Sequence, residues 1–194
     1  MIFFRGLDVL VNVAGILVPG SVDTLSTADY DKVMNLNTRS AFILTNLVSQ
    51  HLITSKGNII HVSSVAGLRS FPQLVGYCMS KAAMDQLVRC VLLKSRSPSA
   101  ILLPSRCSAV DLASKGVRVN AVNPGFIKTG IFNKAGITDD IYNAMEEAEA
   151  QRHPLGRVGN VEEVSSVIGF LASDQASFMT GQTVGIDGGR ALMV

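Results

Sequence analysis

Short apolar runs alternate along this sequence with longer stretches in which apolar residues recur at helical spacing. The short runs, rich in β-branched residues and typical of buried strands, cover 7–11, Asn58–Val62, 117–122 and Thr183–Ile186. The longer stretches cover 28–54, 76–93, Asp139–Arg152 and Val161–Ala172. This alternation predicts βαβ units, in which crossover helices cover both faces of a parallel sheet. The expected fold class is therefore α/β.

The second helical stretch runs into a segment that does not fit this alternation. Residues 91–110 contain Pro98 and Pro104 between clusters of serine and arginine. A proline in a helix interior costs about 3 kcal/mol, because it removes a hydrogen bond and clashes with the preceding turn. The helix is therefore expected to break within this segment.

Length and composition narrow the class of protein. The chain has 194 residues, enough for one domain with its own core, and it is 47% hydrophobic and 16% charged, as globular proteins are. The net charge is +2 and the basic residues are scattered, so no nucleic-acid partner is expected. Arg5, Asp8 and Asn12 interrupt the apolar opening before a signal peptide or membrane span can form. We expect a soluble intracellular protein, most simply a cytoplasmic one, without a membrane partner.

Neither the cysteines nor the histidines indicate a metal site. The three cysteines, Cys78, Cys90 and Cys107, are odd in number and lack the paired spacing of zinc ligands or a disulfide framework. The three histidines also lack metal-ligand spacing, and we expect them on the surface of helices or strands. They are His51, His61 and His153.

Candidate chemistry centres on a tyrosine and a lysine. Tyr77 and Lys81 are four positions apart on a predicted helix, so both side chains project from one face about one turn apart. A free tyrosine has a pKa near 10 and needs a neighbouring cation to exchange protons at neutral pH. Ser64 follows a predicted strand, at the end where ligands bind to open α/β sheets. Taken alone, the pair is more often a surface tyrosine with a solvated lysine, and Ser64 a loop residue.

The segment HVSSVAGLRSFPQLVGYCMSKAAM closely resembles the Ser…Tyr-x-x-x-Lys signature of the short-chain dehydrogenase/reductase family. Further motifs occur in the family's order. NVAG at 12–15 is similar to its Asn-Asn-Ala-Gly turn, LNTRSAF at 36–42 to its asparagine-bearing helix, and VNPGFIKT at 122–129 to its Pro-Gly loop. The tail from Pro154 resembles that of 3-oxoacyl-carrier-protein reductase-like members.

This resemblance implies a Rossmann-type doubly wound parallel sheet in a single domain, and an oxidoreductase that transfers hydride between NAD(P)(H) and a carbonyl or secondary alcohol. Tyr77 would be the general acid for reduction and the base for oxidation. Lys81 would lower the pKa of Tyr77 and bind the nicotinamide ribose. Ser64 would hydrogen-bond the reacting oxygen. Asn37 would hold a water that connects Lys81 to solvent.

The resemblance also implies the residues of a site for NAD or NADP. These are Asn12, Ala14, Gly15, Tyr77, Lys81, Pro124, Gly125, Ile127 and Thr129. The first three would line the adenosine side and support the central strand, whereas the Ile127 backbone and Thr129 would hold the nicotinamide carboxamide.

Several of these residues have plain structural alternatives when they are judged without the family. Asn12 and Asn37 are equally suited to caps or turns. Pro124 and Gly125 suit a turn that ends a strand, and Thr129 suits a helix cap.

Two departures from the family pattern leave the activity open. The Gly-x-x-x-Gly-x-Gly turn that binds the pyrophosphate does not occur, and the chain opens near the family's fourth strand, so we expect a truncated domain without the first βαβ half of the nucleotide site. An insertion is expected near 91–107. The chain is therefore either a hydride-transferring enzyme or a truncated, non-catalytic homologue that acts as an interaction partner.

The expected substrate is a small carbonyl compound or alcohol. Apolar residues between 126 and 153 suggest an apolar or mixed substrate; they are Phe126, Ile131, Phe132, Ile137, Ile141 and Met145. The resemblance further implies a possible homo-oligomer through the helices at 28–54 and 76–93, if the insertion permits it.

Overall fold

Four parallel strands form the centre of the protein, whose computed structural model describes residues 6–90 and 112–193. The strands are β1 (Val9–Asn12), β2 (Asn58–Val62), β3 (Arg118–Pro124) and β4 (Thr183–Ile186), hydrogen-bonded in that order. The helices are α1 (Thr27–Met34), α2 (Ser40–Ser55), α3 (Val75–Cys90), α4 (Ile131–Lys134), α5 (Asp139–Arg152) and α6 (Val161–Ala172). The predicted α/β class is confirmed.

The two faces of the sheet bury different sets of residues, because neighbouring residues of a strand point to opposite sides. On one face Ile59 and Val119 pack with residues of α2 and α3, including Leu52 and Val88. On the other face the sheet packs against α6; this second cluster contains Ile60, Val122, Val164, Leu171 and Ala176. Helices therefore cover both faces, as a doubly wound sheet requires.

Most predicted elements are confirmed, with small shifts at their ends. The predicted strand at 7–11 lies at Val9–Asn12, and that at 117–122 extends to Pro124. The stretch at 28–54 is helical throughout, and a π-helical turn at Asn35–Arg39 lies between its two α-helical parts, α1 and α2. The expected break within 91–110 and the expected insertion near 91–107 lie outside the described residues.

All four strands run in the same direction, so their carboxyl ends share one edge of the sheet. Pairing brings Asn12 beside His61, His61 beside Ala121, and Pro124 beside Ile186. The segments that leave this edge carry Ser64, Gly125 and Asp187. Ligands bind at this edge in open α/β sheets.

Within the described ranges, no helix is long and apolar enough to cross a membrane.

Candidate active site

The structure brings Ser64, Tyr77 and Lys81 together at the edge of the sheet. Ser64 follows β2 in an extended conformation, and its hydroxyl accepts a hydrogen bond from the Ala66 amide at 3.1 Å. Tyr77 and Lys81 project from the first two turns of α3, and the Lys81 ammonium lies 5.5 Å from the centre of the Tyr77 ring. The predicted geometry of the three side chains is therefore present.

Lys81 is a buried cation held by the end of β2. Its side chain is almost fully enclosed, and Nζ donates a hydrogen bond to the Val62 carbonyl at 2.8 Å. Burial lowers the pKa of Lys81 to about 8, while the charge of Asp85 opposes this shift. Lys81 therefore remains mostly charged at neutral pH and titrates just above it.

The pKa of Tyr77 is shifted in the direction opposite to the one expected. Burial of the phenol raises its pKa to about 12, and a hydrogen bond with Ser64 only partly offsets this shift. In this structure burial outweighs any lowering of the Tyr77 pKa by Lys81, so the net shift is upward. The phenol keeps its proton at neutral pH, and this is the form that can donate a proton.

Asn37 lies within the π-helical turn and is completely buried. Its side-chain oxygen accepts from the Ile16 amide at 2.8 Å, while its nitrogen donates to the Ile16 carbonyl at 2.9 Å and to the Ser80 hydroxyl at 3.0 Å. Asn37 is thus neither a cap nor a loop residue. It ties the segment after β1 to α3, and a π turn inside a helix is a frequent mark of a functional site.

A large apolar cavity of about 710 Å³ opens beside Tyr77. Eight residues named from the sequence for catalysis or cofactor binding line it: Gly15, Ser64, Tyr77, Lys81, Pro124, Gly125, Ile127 and Thr129. Asn12, Ala14 and Asn37 are not among its lining residues. Helix α4 is capped by Gly130, so Thr129 is not the cap of that helix.

Aromatic side chains cover one side of the cavity. The rings of Phe126 and Phe132 stack with their centres 4.8 Å apart, and Tyr142 on α5 lies 5.9 Å from each of them. Ile131 also lines the cavity. The other three residues named for an apolar substrate, Ile137, Ile141 and Met145, do not line it. Three of the six expected apolar residues therefore line the cavity, and apolar residues from other segments, such as Leu17, Phe71 and Ile168, complete the lining.

A buried polar network behind the cavity supports Ser64 and Lys81. The Asn123 amide donates to the Ser64 carbonyl at 2.9 Å and to the Asp85 carboxylate at 3.0 Å. Asp85 is nearly fully buried, one helical turn beyond Lys81; burial raises its pKa, while hydrogen bonds from Ser63 and Asn123 oppose the shift. Sequence reasoning missed this network, although the four-residue spacing from Lys81 to Asp85 was visible.

Two of the histidines contradict the expectation of surface positions. His61 is completely buried near the carboxyl end of β2, where its Nδ1 lies 3.1 Å from the Asn12 side-chain nitrogen. His153 is also buried, and its Nδ1 lies 2.5 Å from the Glu149 carbonyl while its Nε2 accepts from the Phe126 amide at 3.4 Å. His153 therefore links α5 to the loop after β3. His51 is exposed, as expected.

Replacement of His61 is expected to remove a pH dependence of stability. Burial, reinforced by the charge of Lys81, lowers the pKa of His61 from 6.5 to about 4. Between these values the unfolded chain binds a proton that the folded chain does not, so the free energy of unfolding falls as the pH is lowered from 6.5 to 4, by up to about 3 kcal/mol. We expect His61→Leu to lose this contribution, measured by urea unfolding across that range. His51→Leu is the control, and an equal pH slope in both variants would contradict the expectation.

Comparison with known proteins places the chain in a family. The family described as short chain dehydrogenase matches residues 3–140, and one described as enoyl-(acyl carrier protein) reductase matches 95–191. The 3-oxoacyl-[acyl-carrier-protein] reductase FabG of Thermotoga maritima is 38% identical over 96% of this chain and 67% of its own length. Nodulation protein G of Rhizobium meliloti is 34% identical over 97% of this chain and 68% of its own.

Solved structures agree with this placement. A short-chain dehydrogenase/reductase of Caenorhabditis elegans, solved with cofactor, superposes with a TM-score of 0.81 at 35% identity over 97% of this chain and 67% of its own. A gluconate 5-dehydrogenase of Burkholderia cenocepacia, solved with NADP and tartrate, gives 0.80 at 27% identity over 97% and 66%. The chain belongs to the short-chain dehydrogenase family, a family of hydride-transferring oxidoreductases with a Rossmann-type sheet, and it spans about two thirds of the length of these relatives.

Proposed function

We propose that this chain carries the carbonyl-reducing centre of an NAD(P)(H)-dependent enzyme that interconverts a carbonyl compound and a secondary alcohol. The observation that carries the proposal is the meeting of Ser64, Tyr77 and Lys81 at one wall of an apolar cavity. The solved relatives described with a cofactor or with NADP support the choice of a nicotinamide dinucleotide.

The residues around Gly15 fit the nicotinamide end of such a cofactor. A Cβ atom at position 15 would lie 3.5 Å from both Asn37 Oδ1 and Lys81 Nζ, so glycine keeps the space between these polar groups open. The resemblance implied the adenosine side for Gly15, but its place beside Lys81 favours the other half, so we assign Gly15, Tyr77, Lys81 and the Ile127–Thr129 segment to the nicotinamide half of the cofactor. When bound, the nicotinamide supplies or accepts the hydride.

Each catalytic side chain has a role that its surroundings support. The protonated Tyr77 donates its proton to the oxygen of the carbonyl as that oxygen gains charge, and in the reverse direction it takes the proton back. Ser64 offers a hydroxyl to the same oxygen. The positive charge of Lys81 stabilises the phenolate that Tyr77 leaves behind. Asn37 fixes the position of the Ile16 backbone relative to α3. Its role in holding a water beside Lys81 stays a prediction.

Asn12 and Ala14 receive a supporting role in this proposal. The Asn12 side chain is buried against His61 and does not line the cavity. We assign Asn12 to the junction of β1 and β2, which fixes the start of the segment that carries Gly15. Ala14 precedes Gly15 on that same segment.

Self-association is a further prediction of the resemblance. Exposed apolar side chains on α2 and α3 favour it, among them Phe42, Leu47 and Met79, which are 55%, 67% and 48% exposed. This surface also suits the alternative function, an interaction partner without catalysis.

Cofactor binding separates the two functions. We expect the 194-residue chain to bind NADPH or NADH in a calorimetric titration, and the tighter of the two identifies the cofactor. Gly15→Leu should weaken this binding about tenfold or more, since a side chain would fill the space beside Lys81. Gly169→Leu is the control, because a Cβ there meets no atom within 4 Å. A folded chain that binds neither dinucleotide would overturn the proposal.

A further inference from the structure

Arg190 places a guanidinium in the wall of the same cavity. It begins the short 3-10 turn Arg190–Leu192 after β4, and its side chain is only 8% exposed. The other charged residues that line the cavity are Lys81, Lys134 and Glu149. Three cations and one anion therefore face a cavity whose lining is otherwise mostly apolar. Such a field favours an anionic ligand.

A single carboxylate balances Arg190 and a second arginine. Arg190 Nε donates to Glu149 Oε2 at 2.9 Å, while Arg152 Nη1 donates to Glu149 Oε1 at 2.7 Å. Burial alone would raise the pKa of Glu149, but the hydrogen bonds and charges of the two arginines lower it, so Glu149 is ionised. Because Glu149 is shared, it offsets only part of the positive charge.

The terminal nitrogens of Arg190 are available to a ligand. Within residues 6–90 and 112–193, neither Nη atom of Arg190 donates a hydrogen bond to the protein. Both are also absent from the set of buried side-chain atoms that lack a hydrogen-bond partner. A guanidinium presents these donors as a planar fork that matches the two oxygens of a carboxylate. One edge of Arg190 is thus used by the protein, whereas no group of the described residues is hydrogen-bonded to the other edge, and Arg190 lies in the cavity wall.

The position of Arg190 is fixed before any ligand binds. Its guanidinium carbon lies 5.3 Å from the centre of the Phe71 ring, and that of Arg69 lies 5.5 Å from the same ring. Arg69 also donates to the Arg190 carbonyl at 2.9 Å and to the Met193 carbonyl. Contacts to both the side chain and the backbone reduce the entropy that ordering Arg190 would cost on binding.

We propose that Arg190 binds a carboxylate of the substrate, so that the preferred substrates are oxo or hydroxy acids with an apolar body. This inference rests on the proposed function for the reacting carbonyl at Tyr77, and adds a second attachment point on the same cavity. The apolar lining between them, including Phe126 and Phe132, accommodates the body of the acid.

Binding of a matched acid and amide tests this assignment without requiring turnover. Octanoate and octanamide have the same chain, and only the first is an anion. In calorimetric titrations we expect the native chain to bind octanoate about tenfold or more tightly than octanamide, the scale of one charge-assisted contact. Arg190→Met should remove this preference. Arg152→Met removes an equal charge from the other side of Glu149, outside the cavity lining, and should retain the preference.

Further variants keep the test decisive. Arg190→Lys replaces Arg190→Met in this test if the methionine variant does not fold. It preserves a charge beside Glu149 but lacks the planar fork, so we expect it to show an intermediate preference for octanoate. Tyr77→Phe should retain the preference while losing turnover, which separates this inference from the proposed function. Equal binding of octanoate and octanamide by the native chain, or an undiminished preference in every Arg190 variant that folds, would overturn the assignment.

Discussion

Replacing Tyr77 with phenylalanine is expected to lower the turnover number for carbonyl reduction by about 10² to 10⁴-fold, the usual contribution of a positioned proton donor. The substitution removes one oxygen and keeps the ring that lines the cavity. Substrate binding should therefore change little, and the loss should appear in kcat and not in KM. Steady-state kinetics with a reducible ketone measures both quantities.

The matched control for this experiment is Tyr30→Phe. Tyr30 lies on α1 and does not line the cavity. Its substitution also removes one phenolic oxygen, and activity should remain close to that of the native protein. Unchanged turnover in Tyr77→Phe would mean that another group supplies the proton.

The second large effect is expected from Gly67→Ala. Gly67 lies in the short 3-10 turn after Ser64, pressed against α3. A Cβ atom there would lie 2.5 Å from Asp85 Oδ2 and 2.9 Å from the Lys81 backbone carbon and oxygen. These distances require the turn and the helix to separate. We expect the free energy of unfolding to fall by about 1–3 kcal/mol, the usual cost of overpacking a core.

The same substitution should reduce activity, because it pushes the turn that follows Ser64 away from the part of α3 that carries Lys81. Gly169→Ala is its control, since a Cβ at this position on α6 meets nothing within 4 Å. An alanine in a helix interior is favoured over glycine by about 0.5–1 kcal/mol, so Gly169→Ala should be neutral or stabilising. Urea unfolding and a rate assay distinguish the two variants, and a Gly67→Ala protein as stable and active as the native one would contradict the packing described for this turn.

The resemblance to the family singled out Ser64, Tyr77 and Lys81, and local spacing explains why the fold brings them together. A four-residue interval on a helix puts Tyr77 and Lys81 on one face, and a residue that follows a parallel strand, such as Ser64, lies at the ligand-binding edge. Both rules depend on local geometry. The alternation of strands and helices predicted the parallel sheet for the same reason.

The burial and the electrostatics of the site residues depend on tertiary packing, which the sequence did not reveal. The pKa of Tyr77 rises because the fold buries the phenol, and no interval between residues encodes that burial. The sequence predicted a surface position for His61, but helices cover both faces of the sheet and His61 is buried. No motif marked Arg190 as a site residue, because its partner Glu149 is 41 residues away. Long-range packing therefore determines the electrostatics of the site.

Transfer of deuterium from labelled cofactor is the most direct test of the central claim, that the cavity beside Tyr77 is a site of hydride transfer. The native chain would be incubated with [4-²H]NADPH or [4-²H]NADH and a panel of aliphatic ketones and oxo acids, and the alcohols analysed by mass spectrometry. The account predicts deuterium on the carbinol carbon of a product alcohol, at a rate that falls sharply in Tyr77→Phe. A folded chain that binds the dinucleotide but yields no labelled alcohol would contradict it.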